Sequence, residues 1–352
     1  MPYARYIFKP GINREGTDYS NEGGWFNGNL VRFRQGRPEK IGGWEKATTN
    51  TYLGTGRALH TWVDLSGTRY LGVGTTLKYY VEKGDSFNDI TPIRDTNTGT
   101  ATFTCTSGSS TVSVTDASHG AVQNDFVTFS NTATLGSSNI TATVLNQEYQ
   151  IASITSANVY TIVAKDTDGD EVTADASVSG GGGGSTVAAY QISVGLDVYV
   201  SATGWGVGTW GAGGFGSASS LDDTNQLRLY SQDNFGDDLI FCPRAGGIYY
   251  WDQSSGISTR AVAFSALGSA SNTPTKCLQI MVSDIDRHII AFGSNAIGAS
   301  TLDPLLVRWS DQESAVDWTP TSTNSAGGVK ISSGSEIVGA LRTRQEILIW
   351  TD

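Results

Sequence analysis

Three histidines, His60, His119 and His288, stand far apart in a chain of 352 residues. A histidine works as a general base or a metal ligand only with a convergent partner. None of the three has a nearby Cys or an HxxxH spacing, and no G-x-S-x-G nucleophile signature occurs. His119-Gly120 follows a strand-like run, so a hydrogen bond that holds a turn is its expected job. Gly206-Val207-Gly208-Thr209-Trp210-Gly211 fits G-x-G-x-x-G, but a dinucleotide site also needs a helix there, aimed at the pyrophosphate. The following Ala-Gly-Gly-Phe-Gly-Ser cannot make one. Residues 204–216 therefore read as a loop whose Trp205, Trp210 and Phe215 pack on a sheet or on a neighbouring subunit. Asp166-Thr167-Asp168-Gly169-Asp170-Glu171 has acidic spacing like that of a calcium loop, but its glycine comes too early, and a solvated hairpin turn is expected. Asp311, Glu313 and Asp317 lie between Trp309 and Trp318. Paired carboxylates in a groove can cleave glycosidic bonds; a solvated acidic loop is the simpler reading.

Cys105, Cys242 and Cys277 are odd in number and form no CxxC, which suggests neither a disulfide framework nor a zinc site. Buried free thiols are expected. One basic patch stands out: Arg32, Arg34, Arg37 and Lys40 surround the turn Gln35-Gly36. The alternation Val31-Arg32-Phe33-Arg34 puts Arg32 and Arg34 on one strand face. A salt-bridging face toward another subunit suits it better than phosphate, because the chain as a whole is acidic. The reading assigns no catalytic, cofactor-binding or metal residue. Its candidate interface is Arg32, Arg34, Arg37, Lys40, Trp205, Trp210, Trp309 and Trp318.

The elements that must position these residues follow from composition. Hydrophobic residues are 38%, charged residues 16%, and glycines number 43. That suits short strands and tight turns better than long helices. No run of apolar residues is long enough for membrane insertion, and the opening residues lack the apolar core of a signal peptide. The net charge of −11 argues against nonspecific nucleic-acid binding. An acidic wall can still face DNA that must slide past it.

Charge divides the chain. Residues 1–95 hold 13 Lys/Arg against 10 Asp/Glu, whereas residues 96–195 hold one against eight. Inside the middle block, 111–115, 125–129 and 159–163 alternate at period two, the mark of half-buried strands. It reads as a small β-barrel or sandwich in which Gly180–Gly184 makes a hairpin tip or loop. The flanks repeat. Segment 57–92 and segment 276–320 share an order of apolar runs, and both end on Asp-apolar-Thr-Pro (89–92 and 317–320). The loop 295–303 absorbs most of the extra length. A third unit covers 226–251 and a fourth begins at 336. Small antiparallel sheets recurring every roughly 35–45 residues describe propeller blades, which must stack to bury both faces. The expected fold is all-β: a β-propeller-like platform carrying an inserted small β domain. Residues 1–95 form an N-terminal arm and first blade, 96–195 the insert, and 196–352 further blades with the last incomplete.

The opening Pro10-Gly11-Ile12-Asn13-Arg14-Glu15-Gly16, then Gly24-Trp25-Phe26-Asn27-Gly28-Asn29-Leu30-Val31-Arg32-Phe33-Arg34 and Gly36-Arg37-Pro38-Glu39-Lys40-Ile41-Gly42-Gly43-Trp44, resembles the start of the tail nozzle or packaged-DNA stabilisation family of short-tailed phages. The blade endings and the module around His119-Gly120 look similar too. The resemblance implies a non-enzymatic virion protein without cofactor. Copies would form a ring, usually sixfold, below the portal adaptor. It would extend the channel, retain the genome, pass DNA without specific binding, and carry fibre or spike proteins. The competing expectation is a carbohydrate-binding or carbohydrate-cleaving propeller, in which Trp251, Trp309 and Trp318 would stack on sugars beside Asp311.

Overall fold

The computed structural model describes residues 8–17, 19–43, 45–46, 48–136, 139–195, 227–344 and 346–352. It has two compact units, Met1–Asn50 and Thr51–Asp352. The first holds one hairpin, β1 (Val31–Arg34) and β2 (Arg37–Lys40). Its turn residues Gln35 and Gly36 both have positive φ, 50° and 77°. That is the twist a two-residue hairpin needs.

The second unit is nearly all β. Its first sheet is a four-stranded antiparallel meander of β3 (Gly56–Val63), β4 (Arg69–Thr75), β5 (Tyr79–Lys83) and β6 (Ser86–Asp89). The nine strands that follow are β7 (Ile93–Thr98), β8 (Thr102–Cys105), β9 (Thr111–Thr115), β10 (Phe126–Ser130), β11 (Glu148–Gln150), β12 (Ser153–Ser156), β13 (Val159–Val163), β14 (Val178–Gly181) and β15 (Val187–Gln191). They make two sheets, β11-β10-β15-β7 and β12-β13-β9-β8-β14. Phe103, Val112, Val114 and Ile162 from one sheet and Val127, Phe129 and Ala188 from the other bury into a single core. The module is thus a sandwich and not a closed barrel. Part of the glycine run is strand, because Gly181 pairs with Phe103. Gly182, at φ 109°, lets the backbone lie on the Phe103 ring, where a Cβ would come within 2.5 Å.

Two more meanders follow: β16 (Tyr230–Phe235), β17 (Asp238–Pro243), β18 (Tyr249–Trp251) and β19 (Val262–Ala263), then β20 (Cys277–Val282), β21 (Ile289–Ser294), β22 (Leu306–Trp309) and β23 (Gly327–Lys330). A two-stranded sheet of β24 (Ile337–Arg342) and β25 (Ile347–Thr351) ends the series. The first strands β3, β16, β20 and β24 are successive neighbours. The sheets stack face to face, so alternate residues of one strand enter different cores. Leu239 and Phe241 of β17 join Trp62 and Tyr79 of the first sheet, whereas Ile240 and Cys242 join Cys277 and Ile280 of the third. Ile289 and Ala291 of β21 face the second sheet, and Phe292 faces Ile337 of the fourth. This is an all-β, propeller-like fold; the repeat at 57–92 takes in the first meander, whereas that at 276–320 takes in only the first three strands of the third.

The repeat ends differently from the sequence reading. After each fourth strand an apolar residue donates its N–H to the carbonyl at the start of the third strand. These are Ile90 to Tyr79, Phe264 to Ile248, and Ile331 to Leu305, each at 3.0 Å. Asp317-Trp318-Thr319-Pro320 is therefore not the counterpart of Asp89-Ile90-Thr91-Pro92, because it lies in the long β22–β23 connection. What recurs is local chemistry. Asp89 Oδ1 accepts the Thr91 N–H at 2.9 Å and Asp317 Oδ1 the Thr319 N–H at 3.1 Å, and both turns push an apolar side chain, Ile90 or Trp318, into a core.

Candidate functional site

The first strands of all four platform sheets line an open axial cavity of about 620 Å³. These strands belong to separate sheets with no backbone ladder between them, so side chains do the work that a ladder does within a sheet. Ser231 Oγ accepts the Ile280 N–H at 2.9 Å, and two residues on, Asp233 Oδ2 accepts the Val282 N–H at 2.8 Å. Gln279 bonds both ways with Ala340, donating to its carbonyl and accepting its N–H, each at 2.8 Å. Arg342 donates to the Val282 carbonyl at 2.6 Å and pairs with Asp284 at 2.9 Å. Between the first and second sheets, His60 Nε2 lies 2.6 Å from Asn234 Oδ1, Tyr79 donates to Gln232, and Tyr230 donates to the Thr75 carbonyl at 3.0 Å. Burial raises the Tyr230 hydroxyl far above its usual range, so it stays a neutral donor. The lining carries one carboxylate, Asp233, against the guanidinium groups of Arg244 and Arg342. Its size is that of a small-molecule cleft, and no acid–base pair converges in it.

A second constellation joins the sandwich to the platform. Lys78, 3% exposed, pairs with Asp89 at 2.8 Å and with Glu148 of the sandwich. Arg260, just before β19, reaches Asp89 at 3.2 Å, Glu148 at 3.5 Å and the Thr91 carbonyl at 2.7 Å. Burial disfavours the Asp89 carboxylate, but Lys78 and Arg260 overcome it and hold its pKa below the usual range. The Lys78 ammonium also sits 4.5 Å from the Phe126 ring centroid. Next door, burial lifts Asp125 to about 6, against the Val122 N–H and the charges of Arg94 and Arg228. Inside the sandwich, buried Asp116 accepts from Tyr190 at 2.7 Å, Thr100 at 2.7 Å and Asn97 at 2.8 Å. All these carboxylates are tied into structure.

A third recess, of about 500 Å³, opens where the third and fourth sheets meet. Trp309 lines it with Asp284, Asp286, His288, Arg342 and Glu346. Trp309 is half-buried, and its indole N–H donates to the Ser325 carbonyl at 2.8 Å.

The expected site residues scatter. Arg32, Arg34, Arg37 and Lys40 are all exposed on the β1–β2 hairpin, where Arg32 pairs with Glu39 at 3.1 Å. Trp205 and Trp210, with the glycine-rich loop 204–216, lie outside the described residues. Trp318 does not present a surface: it is 1% exposed, in the core of the second and third sheets, and bonds the Ala315 carbonyl. Trp251 is equally buried. Neither ring can stack on a sugar. Asp311 and Asp317 are absorbed by turns, with the Ser325 and Thr319 N–H groups respectively the leading cause of their lowered pKa values. Asp166 Oδ1 accepts the N–H groups of Asp168 and Asp170, closing a hairpin turn. His119 Nδ1 accepts the Ala121 N–H at 3.1 Å, which holds its turn. The three cysteines are buried, and no disulfide links them. Among the described residues no cluster of three or more His, Cys, Asp or Glu could hold a metal ion.

The axial seams and the Lys78 cluster escaped the sequence reading. Ser231 and Asp233 do alternate on β16, which hints at a shared face, but nothing local points to partners about 50 residues away.

No protein-family model matches the chain, and no curated protein is similar to it. Among solved structures, phage phi92 endosialidase is similar at 12% identity and a TM-score of 0.25, over 89% of this chain and 43% of that one. The chain thus spans less than half of that protein's length, and a likeness this loose carries no argument.

Proposed function

We propose that the chain is a structural component of a phage tail. Copies of it form a ring, sixfold in the nozzle family it resembles, below the portal adaptor. The ring extends the DNA channel and carries fibre or spike proteins. The observation that carries the reading is the commitment of polar groups at the axis: Ser231, Asp233, Gln279 and Arg342 each bind an adjoining sheet. That arrangement resists shear between the sheets. Two surfaces support self-association. The exposed Arg32, Arg34, Arg37 and Lys40 contrast with a net charge of −11. Among the described residues β25 pairs only with β24, and Trp350 beside that edge is 50% exposed. DNA passes an acidic assembly without specific binding. No described helix is long and apolar enough to cross a membrane. Sedimentation of the purified chain tests the reading: a discrete ring is expected, lost on Arg32→Glu/Arg34→Glu, and a monomer at every concentration would contradict it.

One observation favours a second reading, a carbohydrate-binding or carbohydrate-cleaving tail protein: the recess where Trp309 sits near three carboxylates. Aromatic rings beside hydrogen-bonding groups suit sugar faces. Glycan binding that disappears in Trp309→Ala would establish it.

A further inference from the structure

The seam between the second and third sheets contains two sulfur atoms side by side. Cys242 lies near the end of β17 and Cys277 opens β20; both are fully buried. Their Sγ atoms are 3.1 Å apart. Around them are Ile240, Ile248, Phe264 and Ile280, all apolar. Among the described residues Cys242 Sγ also approaches main-chain carbonyls, 3.1 Å from the Pro243 oxygen, 3.5 Å from the Cys277 oxygen and 3.7 Å from the Gly246 oxygen. A disulfide has its sulfurs about 2.05 Å apart, so roughly 1 Å of approach separates this pair from a bond. The packing already brings the two thiols together across a seam that otherwise depends on apolar contact and on hydrogen bonds such as those of Ser231 and Asp233.

We propose that Cys242 and Cys277 are a redox modification site, a buried dithiol that a two-electron oxidant closes into a disulfide stapling the second sheet to the third. With a diazene oxidant the step balances. One thiolate adds to the N=N bond, and the second attacks the sulfur of that adduct and releases the hydrazine. Two S–H bonds break, one S–S bond forms, and two protons and two electrons pass to nitrogen. Burial pushes the Cys277 thiol up, so thiolate is scarce and closure is slow. The closed loop spans 35 residues, long enough for the cross-link to restrict the unfolded chain appreciably. Outside a reducing cell interior the bond would persist. Cys105, buried in the sandwich core, provides an internal control. The inference does not depend on the function proposed above.

The test uses the full chain, folded, treated with diamide, then unfolded, alkylated and mapped by mass spectrometry. The expected thiol titre falls from three to one, with a linked Cys242–Cys277 peptide, an alkylated Cys105, and a melting temperature raised by about 5 °C. Dithiothreitol reverses all three changes. Cys242→Ser is expected to keep its two thiols under diamide and to show no rise. If that variant does not fold, the peptide map of the unaltered chain decides alone. A titre that stays at three, or lost thiols that map to Cys105 or to links between chains, would overturn the proposal.

Discussion

Strands β9 and β17 are nearly equal in length and opposite in pattern. Thr111-Val112-Ser113-Val114-Thr115 buries only its two valines, whereas Leu239-Ile240-Phe241-Cys242 is buried at every position. The sandwich strand has a core on one face and a partly exposed surface on the other. The platform strand has a core on each face, because its sheet lies between two others. Packing geometry, then, decides whether period two is visible in a sequence. The same contrast separates how the two regions use polar groups. The sandwich buries its carboxylate Asp116 within one module, whereas the platform spends Asp233, Gln279 and Arg342 between sheets.

The largest expected effect falls where the two regions meet. Lys78→Met leaves Arg260 as the one cation paired with Asp89 and Glu148 among the described residues, and should cost about 3–5 kcal/mol in urea unfolding; a loss below about 1 kcal/mol would mean that the junction does not join the regions. Next comes a test on neighbouring residues. Ile240→Ala and Phe241→Ala should both destabilise, by about 2–5 kcal/mol each, because each opens a different core. In the sandwich, Val114→Ala should cost about 2–3 kcal/mol, and adjacent Ser113→Ala no more than about 0.5 kcal/mol. Equal costs at Val114 and Ser113, or a silent Ile240, would break the comparison.

A pH experiment sharpens it further. Asp125 of the sandwich titrates near 6, above its ordinary 3.8, so its folded form favours the neutral acid. That contribution is full below about pH 4 and is lost as pH rises through about 6. Asp125→Asn should therefore gain about 1–3 kcal/mol at pH 8 and change little near pH 4. Asp89 of the platform has the opposite sign: its depressed pKa stabilises above about pH 4, and that stability is lost as pH falls through the folded value. Urea midpoints of the two Asn variants across this range should move in opposite senses. A smaller effect than at the junction or in the cores is expected at the axis, where Gln279→Ala removes both bonds to Ala340 and should cost about 1–2 kcal/mol.

Much of the architecture was legible from local pattern. The alternating runs at 111–115, 125–129 and 159–163 marked the sandwich strands, and the ordered apolar runs of 57–92 and 276–320 marked the first meander and the first three strands of the third. The two Asp-X-Thr-Pro segments look equivalent in sequence because each makes an Asx turn with one apolar anchor, at Asp89 after a fourth strand and at Asp317 after a third. Trp318 looked like a surface residue because its loop is acidic; those acids cap turns while the ring points inward. Lys78, Glu148 and Arg260 could not be grouped, since they meet only after three sheets have folded. The same holds for Cys242 and Cys277, whose sulfurs belong to different sheets.

The most direct measurement is a symmetric reconstruction of particles that contain this chain. The account predicts identical copies in a closed ring around a through-channel, with the Arg32–Lys40 hairpin or the free edge of β25 at the contacts between copies. Isolated copies at the particle surface, each with a glycan in the Trp309 recess and no contact to one another, would contradict it.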